Sequence, residues 1–243
     1  MSPGAGARTA ARTVAGAAGG AAVVQAVPAL TSIAPLRRAL LPRLSGRSSR
    51  HHIALSFDDG PDPASTPHFL ELLADRGVNA TFFLLGSYAV GEQSLVRDLV
   101  AAGHEVAVHG WTHECLALVP PRRLADELTR TRGVLEDTTG TPVRWYRPPY
   151  GVHTAAGVWA ARRAGLQTVL WSAWGVDWSA NATPSTIVHR VSHAVRPGGT
   201  VLLHDTDRTS APDSWRRTLV ATATLLDRWR DEGIPVGPLR EHW

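Results

Sequence analysis

The chain has 243 residues, 44% hydrophobic and 19% charged, enough apolar material for one globular domain with a sizeable core and an appended tail. A single cysteine, Cys115, excludes an internal disulfide framework and a cysteine-based zinc site. The net charge of +4 sits unevenly: residues 1–50 hold seven arginines and no acid, which leaves 18 of the 25 basic residues against 21 acidic ones in the remainder, a net of −3. That remainder has no basic stripe, which argues against nucleic acid as a partner.

Residues 1–50 form an Ala/Gly/Arg-rich leader, and residues 51–243 the folded body. Val14 to Leu36 is compatible with a signal peptide, a weak membrane anchor or a disordered segment. Gln25, Pro28, Pro35 and many glycines interrupt it, and no clear cleavage site follows. Five arginines come after the stretch and two before it, an asymmetry that disfavours sending the body outward. The same arginines suit weak contact with an anionic membrane or wall surface.

From about His52 onward, apolar runs of strand length alternate with stretches of helical period. The predicted strands are Ile53–Phe57, Ala80–Leu85, Glu105–Val108, Val143–Tyr146, Thr168–Trp171 and Thr200–Leu203, with Ile234–Val236 as a short last one. Between them lie helix faces. Phe69, Leu72 and Leu73 stop at Gly77, and Leu95, Val96, Leu99 and Val100 stop at Gly103. Leu124, Leu128, Thr131 and Leu135 follow Pro121, while Ile187, Val188, Val191 and Val195 follow Thr183-Pro184. Trp215, Leu219, Thr222, Leu226 and Trp229 make the last face. Strand and helix repeated six or seven times mean an α/β fold with a parallel sheet, best matched by an incomplete barrel, with a doubly wound open sheet as the alternative. In such folds chemistry gathers where strands end.

The strand ends carry it here. Ala54-Leu55-Ser56-Phe57-Asp58-Asp59-Gly60-Pro61 closes an apolar strand on two adjacent carboxylates. Like charges held this close need a cation or an arginine beside them, as in a site where one carboxylate binds an ion and the other handles a proton. Taken alone, Asp58-Asp59-Gly60-Pro61 equally suits a solvated turn. After the third strand come His109 and His113, four apart; with Asp59 they make a two-histidine, one-carboxylate set with positions left open. His189 and His193 have the same spacing but lie on a predicted helix with no carboxylate pair, and read as surface histidines. Arg147-Pro148-Pro149-Tyr150-Gly151 is a stiffened loop whose arginine would keep Asp58 ionised and aimed. Trp174 to Trp178 puts Asp177 between indoles that suit a sugar-binding groove, whereas Trp159, Trp171 and Trp229 read as core. Leu202-Leu203-His204-Asp205 ends a strand on a histidine at the same rim.

These five ordered blocks, spread from about His51 to Leu239, resemble the polysaccharide deacetylases of carbohydrate esterase family 4, which share the NodB homology domain. The resemblance implies a distorted, incomplete (β/α) barrel of seven strands or so, preceded by an N-terminal tail. It implies hydrolysis of acetyl groups on glycans, chiefly N-acetylglucosamine units of peptidoglycan or chitin-like polymers. O-deacetylation of xylan, a small non-sugar amide, or a glycan-binding envelope module without turnover are the alternatives. By matching position, Asp59, His109 and His113 would hold zinc or cobalt, Asp58 would be the general base, and Arg147 would orient it. Tyr150 would offer its backbone N–H to the oxyanion, His204 would be the general acid tuned by Asp177, and Trp178 and Leu202 would wall the acetyl pocket. An enzyme of this kind is expected at the cell envelope or secreted, with a cytoplasmic place left open. Three positions depart from the family pattern. Gly110 stands where Ser or Thr is usual, removing a hydroxyl that would brace the loop. Trp174 stands where an Asp is usual, and Glu114 where Pro is often found.

Overall fold

A computed structural model describes residues 34–152 and 154–243; most of the Val14–Leu36 stretch and the first 33 residues of the leader lie outside the described residues. The described chain begins with α1 (Ala34–Leu40) and then alternates: β1 (Ile53–Asp58), α2 (Thr66–Arg76), β2 (Thr81–Leu85), a one-turn α3 (Gly86–Ala89), α4 (Gln93–Ala101), β3 (Glu105–Gly110) and α5 (Pro121–Thr139). There follow β4 (Trp145–Tyr146), α6 (Ala155–Arg163), β5 (Gln167–Thr168), β6 (Ala173–Trp174), α7 (Pro184–Ala194), β7 (Thr200–His204), α8 (Ser214–Asp231) and β8 (Val236–Gly237). Helix starts follow local chemistry. Thr183 caps α7 by accepting from the Thr186 N–H, with Pro184 next, where a missing N–H costs nothing.

The strands pair in parallel in the order β5-β4-β3-β2-β1-β7-β6, with β8 joining the start of β1. The two edge strands, β5 and β6, are consecutive in the chain and joined by residues 169–172 alone. So few residues reach at most about 18 Å. The sheet must therefore curl until its edges nearly meet, which is the incomplete (β/α) barrel expected. The single strand expected at Thr168–Trp171 is instead split between the two edges. The reason is where its amides go: Val169 N–H donates to Tyr146 O (2.9 Å), Leu170 N–H to Leu44 O (2.7 Å) and Ser172 N–H to Thr200 O (3.0 Å), so this stretch crosses the gap rather than pairing along one neighbour.

Leu44 belongs to the segment assigned above to the leader. Residues 37–48 pack into the body: Arg37 donates to Trp171 O (2.9 Å), Thr200 Oγ1 donates to Gly46 O (2.7 Å), and Ser48 N–H donates to Gly198 O (2.8 Å).

Period-2 alternation sorts each strand between two buried faces. Ile53, Leu55 and Phe57 of β1, Phe82 and Leu84 of β2, Val106 and Val108 of β3, and Val201 and Leu203 of β7 join one cluster with the helices. The intervening positions, Ala54, Phe83 and Ala107, gather with Trp145 on the inner face. The same alternation sends Asp58, His109 and His204 to the inside at their strand ends. The α6 helix was not anticipated. Its buried face is Ala156, Ala160 and Ala161, and Trp159 points the other way, 45% exposed, with the Arg163 guanidinium 5.8 Å from its ring centre. Trp159 is thus not a core residue, whereas Trp171 and Trp229 are buried. His189 and His193 lie exposed on α7, as the sequence suggested.

Candidate metal and acid–base centre

Strand register assembles the site. In the β1–β7 pairing Asp58 stands opposite His204. In the β3–β4 pairing Val108 stands opposite Tyr146, which brings His109 and Arg147, each one residue further on, to the same level. Arg147 then donates its N–H to Val108 O (3.0 Å) and accepts on its own carbonyl from His109 Nδ1 (2.8 Å). Three non-glycine residues in these loops, Asp59 (φ 80°), Tyr150 (φ 59°) and Val176 (φ 56°), have left-handed backbones. Such conformations cost roughly 1–3 kcal/mol each and persist where surrounding structure enforces them, commonly at functional sites.

Asp59, His109 and His113 each offer one ligand atom, all within 4.8 Å of one another. Asp59 Oδ1 lies 3.1 Å from His109 Nε2 and 3.5 Å from His113 Nε2, is buried, and receives no hydrogen bond. A carbonyl can only accept, so the Arg147 carbonyl fixes the proton of His109 on Nδ1. In the neutral imidazole, the form a metal needs, the Nε2 lone pair then faces a carboxylate oxygen, which is repulsive unless a cation lies between them. Zinc-like bonds of 2.0–2.2 Å at tetrahedral angles space their ligand atoms roughly 3.3–3.5 Å apart, close to the distances observed. The donor set therefore fits a divalent ion. Burial alone would raise the Asp59 carboxyl, but at the acid pH where a carboxyl titrates the protonated His109, His204 and His113 outweigh it and hold the group well below the usual carboxylate range. Burial, reinforced by His109, pushes the His113 imidazole down, toward the neutral form a metal needs.

Asp58, beside that group, is held by Arg147. Its Oδ1 accepts from Arg147 Nη1 at 2.6 Å, and Arg147 also donates to Ser56 Oγ (2.9 Å) and Leu170 O (3.1 Å). The guanidinium is fully buried, 3.9 Å from the centre of the Phe83 ring. Burial pulls its pKa down and Asp58 opposes this. The other oxygen, Asp58 Oδ2, stays 3.8 Å from His109 Nδ1.

On the far side, His204 is set by Asp177. One Asp177 oxygen faces His204 Nδ1 at 3.0 Å; the other accepts from the His204 backbone N–H (2.8 Å) and from Thr218 Oγ1 (2.9 Å). His204 Nε2 is left facing the centre, 3.8 Å from Asp59 Oδ2. Burial disfavours the imidazolium, yet Asp177, with Asp59 and Asp58 behind it, pushes the His204 pKa up to about 10.

A cavity of about 280 Å³ joins these groups. Asp58, Asp59, His109, His113, Tyr150, Trp178, Leu202 and His204 line it; Arg147 and Asp177 stand behind Asp58 and His204. All ten residues singled out in the sequence thus converge. Trp171, Trp174 and Trp178 form a run of indoles along one wall, with centroid spacings of 5.5 and 4.7 Å, and Trp178 meets the His204 ring at 5.5 Å. Sequence reasoning gave no role to Ser56, although it lies in the block that ends in Asp58-Asp59, and missed Thr218, Thr209 and Ser210, single hydroxyls outside the motifs; the last two line the cavity. Gly110 is explained by its backbone. Its φ of 129° is closed to most side chains, and its carbonyl is braced from α5 by Thr131 Oγ1 (3.2 Å).

A candidate ion site with a carboxylate on one side and an imidazolium on the other, open to solvent at the strand ends of a barrel, is the equipment of a metal-assisted hydrolase. A family model described as polysaccharide deacetylase matches residues 45–169. A chitooligosaccharide deacetylase of Bradyrhizobium sp. (strain ANU 289) is 37% identical over 199 residues, which cover 79% of this chain and 90% of the relative. The chain belongs to the polysaccharide deacetylase family, hydrolases acting on carbon–nitrogen bonds other than peptide bonds. Among solved structures, a peptidoglycan N-acetylglucosamine deacetylase in complex with 4-naphthalen-1-yl-N-oxidanyl-benzamide matches with a TM-score of 0.75 at 28% identity, covering 82% of this chain and 91% of its own. A pseudoenzyme of carbohydrate esterase family 4 from Bacillus anthracis matches with a TM-score of 0.71 at 27% identity, covering 80% and 66%.

Proposed function

We propose that this enzyme removes the N-acetyl group from N-acetylglucosamine units of chitin-like oligosaccharides or peptidoglycan. The observation that carries the reading is the placement of Asp58 and His204 on two sides of the Asp59–His109–His113 group within one cavity. A divalent ion, zinc or cobalt, held by those three residues would supply Lewis-acid polarisation and make water more acidic. Asp58, held in place by the Arg147 hydrogen bond, takes a proton from the water that attacks the acetyl carbonyl. The Tyr150 backbone N–H donates to the oxygen on which charge develops. As the C–N bond breaks, His204 passes its Nε2 proton to the departing sugar amine, and Asp177 holds the imidazolium until then. Trp178 and Leu202 wall the space for the acetyl methyl, and the exposed face of Trp174 offers a stacking surface for a pyranose.

Retention of Asp58, Asp59, His109, His113 and His204 together favours turnover over a binding module that has lost it. No helix among the described residues is long and apolar enough to cross a membrane. If the glycan is wall material the body works at the envelope or outside it, with the arginines of residues 1–50 suited to an anionic wall or membrane surface. Mass analysis of products from N-acetylglucosamine oligomers, peptidoglycan and acetylated xylan, with and without a chelator, tests the proposal. Free amine on the first two, lost with chelator, is expected. Acetate released from xylan alone would move the assignment to O-deacetylation, and no product from any of them would return it to a binding role.

A further inference from the structure

The two oxygens of Asp59 have different surroundings. Oδ1 faces His109 and His113 and receives no hydrogen bond, as the metal reading above requires. Oδ2 faces away from that group, 3.8 Å from His204 Nε2, and accepts a hydrogen bond from Thr209 Oγ1. A carboxylate cannot donate, so the Thr209 hydroxyl must. Thr209 arrives from the loop between β7 and α8, which is tied to Asp62 and to Trp178. Thr206 Oγ1 donates to Asp62 (2.7 Å), Arg208 Nε pairs with the same Asp62 oxygen (3.2 Å), and Ala211 N–H donates to Trp178 O (3.0 Å). Within the loop, the Asp213 N–H donates to Asp207 (2.6 Å) and the Ser210 N–H to Asp207 O (3.0 Å). The hydroxyl is therefore delivered to Asp59 by a braced turn, although the residue itself is solvent-exposed.

We infer that Thr209 is a positioning residue that holds Asp59 to one-oxygen ligation, keeping Oδ2 off the ion and presenting Oδ1 to it. The inference rests on the metal role of Asp59, His109 and His113 proposed above. A hydroxyl bonded to Oδ2 satisfies the lone pair that would otherwise swing toward the cation, and it fixes the plane of the carboxylate. Ligation through one oxygen would leave room beside an ion for water and the substrate carbonyl, which a two-oxygen carboxylate would crowd. Hydrogen bonds to the non-ligating side of metal ligands typically matter about 10–100-fold in metal affinity.

The test uses the full chain loaded with cobalt, which reports coordination number through its visible absorption and needs no substrate. Thr209→Val keeps the shape and removes the donor; Thr209→Ser keeps the donor. Expected results are a roughly 10–100-fold weaker cobalt and zinc affinity for Thr209→Val by chelator competition, a weaker visible band from a higher coordination number, and wild-type values for both in Thr209→Ser. Wild-type affinity and spectrum in Thr209→Val would overturn the inference, as would equal losses in Thr209→Val and Thr209→Ser, which would assign the effect to loop packing instead. Failure of the wild-type chain to bind either ion would overturn the metal reading itself, an outcome distinct from both.

Discussion

Replacing Asp58 by Asn separates the two jobs of this carboxylate. The amide cannot take a proton, so a general-base contribution of about 10²–10⁴ in turnover is lost. None of the three ligand atoms of Asp59, His109 and His113 is altered, so bound metal should stay at the wild-type level. The structure predicts a second cost. Arg147 is fully buried and donates to Asp58 at 2.6 Å, and its remaining partners, Ser56 Oγ and Leu170 O, are neutral. Leaving a buried guanidinium without its counter-charge costs about 3–5 kcal/mol. In a domain of this size each kcal/mol moves the melting point by roughly 2–4 °C, so Asp58→Asn should melt about 10 °C lower. The double variant Asp58→Asn with Arg147→Met removes both charges and should recover much of that loss while remaining inactive. Turnover, metal content by elemental analysis and calorimetric melting are measured on the wild type and both variants. Turnover of Asp58→Asn near the wild-type level would refute the base assignment, and an unchanged melting point would refute the energetic argument for the pair.

His204→Ala should cut turnover by about 10²–10⁴ with metal content unchanged; matching loss of metal would make His204 a ligand instead. Gly110→Ser, although it installs the side chain usual in the family, should destabilise the protein by about 1–3 kcal/mol, because φ of 129° strains any side chain and the new Cβ would lie 3.2 Å from Thr112 O. A Gly110→Ser variant as stable as wild type would show that the loop relaxes freely. Burial pulls His104 down from 6.5 to about 4, and its Nδ1 accepts from the Ala80 N–H. The folded pKa lies below the unfolded one, so stability is full above pH 6.5 and falls as acid protonates the unfolded chain first, by about 2 kcal/mol between pH 7 and pH 5. Denaturant unfolding at the two pH values should show this slope reduced in His104→Asn; an equal slope in both proteins would exclude His104 as its source.

Much of the barrel and its site could be read in the sequence, and the limits of that reading have a common form. Asp58, His109 and His204 stand out because each breaks an apolar run of strand length, and a parallel sheet brings such breaks to one rim whatever the register. Arg147 stands out because two prolines follow it. The split of the expected Thr168–Trp171 strand was not legible, since its amides bond to Tyr146, Leu44 and Thr200, partners that no local period encodes. Trp159 was misplaced because its helix buries alanines, and composition assigns the larger side chain to the core.

By itself, then, the order of residues determined the alternation of elements, the inward side of each strand and the chemical types gathered at the rim, because these follow from periods of 2 and 3.6 and from charge. Only the tertiary structure decided how those types are oriented. It fixed the proton of His109 through the Arg147 carbonyl, aimed one oxygen of Asp59 at two imidazoles and the other at Thr209, and seated residues 37–48 beside the gap in the sheet. Each of those outcomes is a hydrogen bond or contact across tens to more than a hundred residues of chain, and its energy exists only once the sheet has curled.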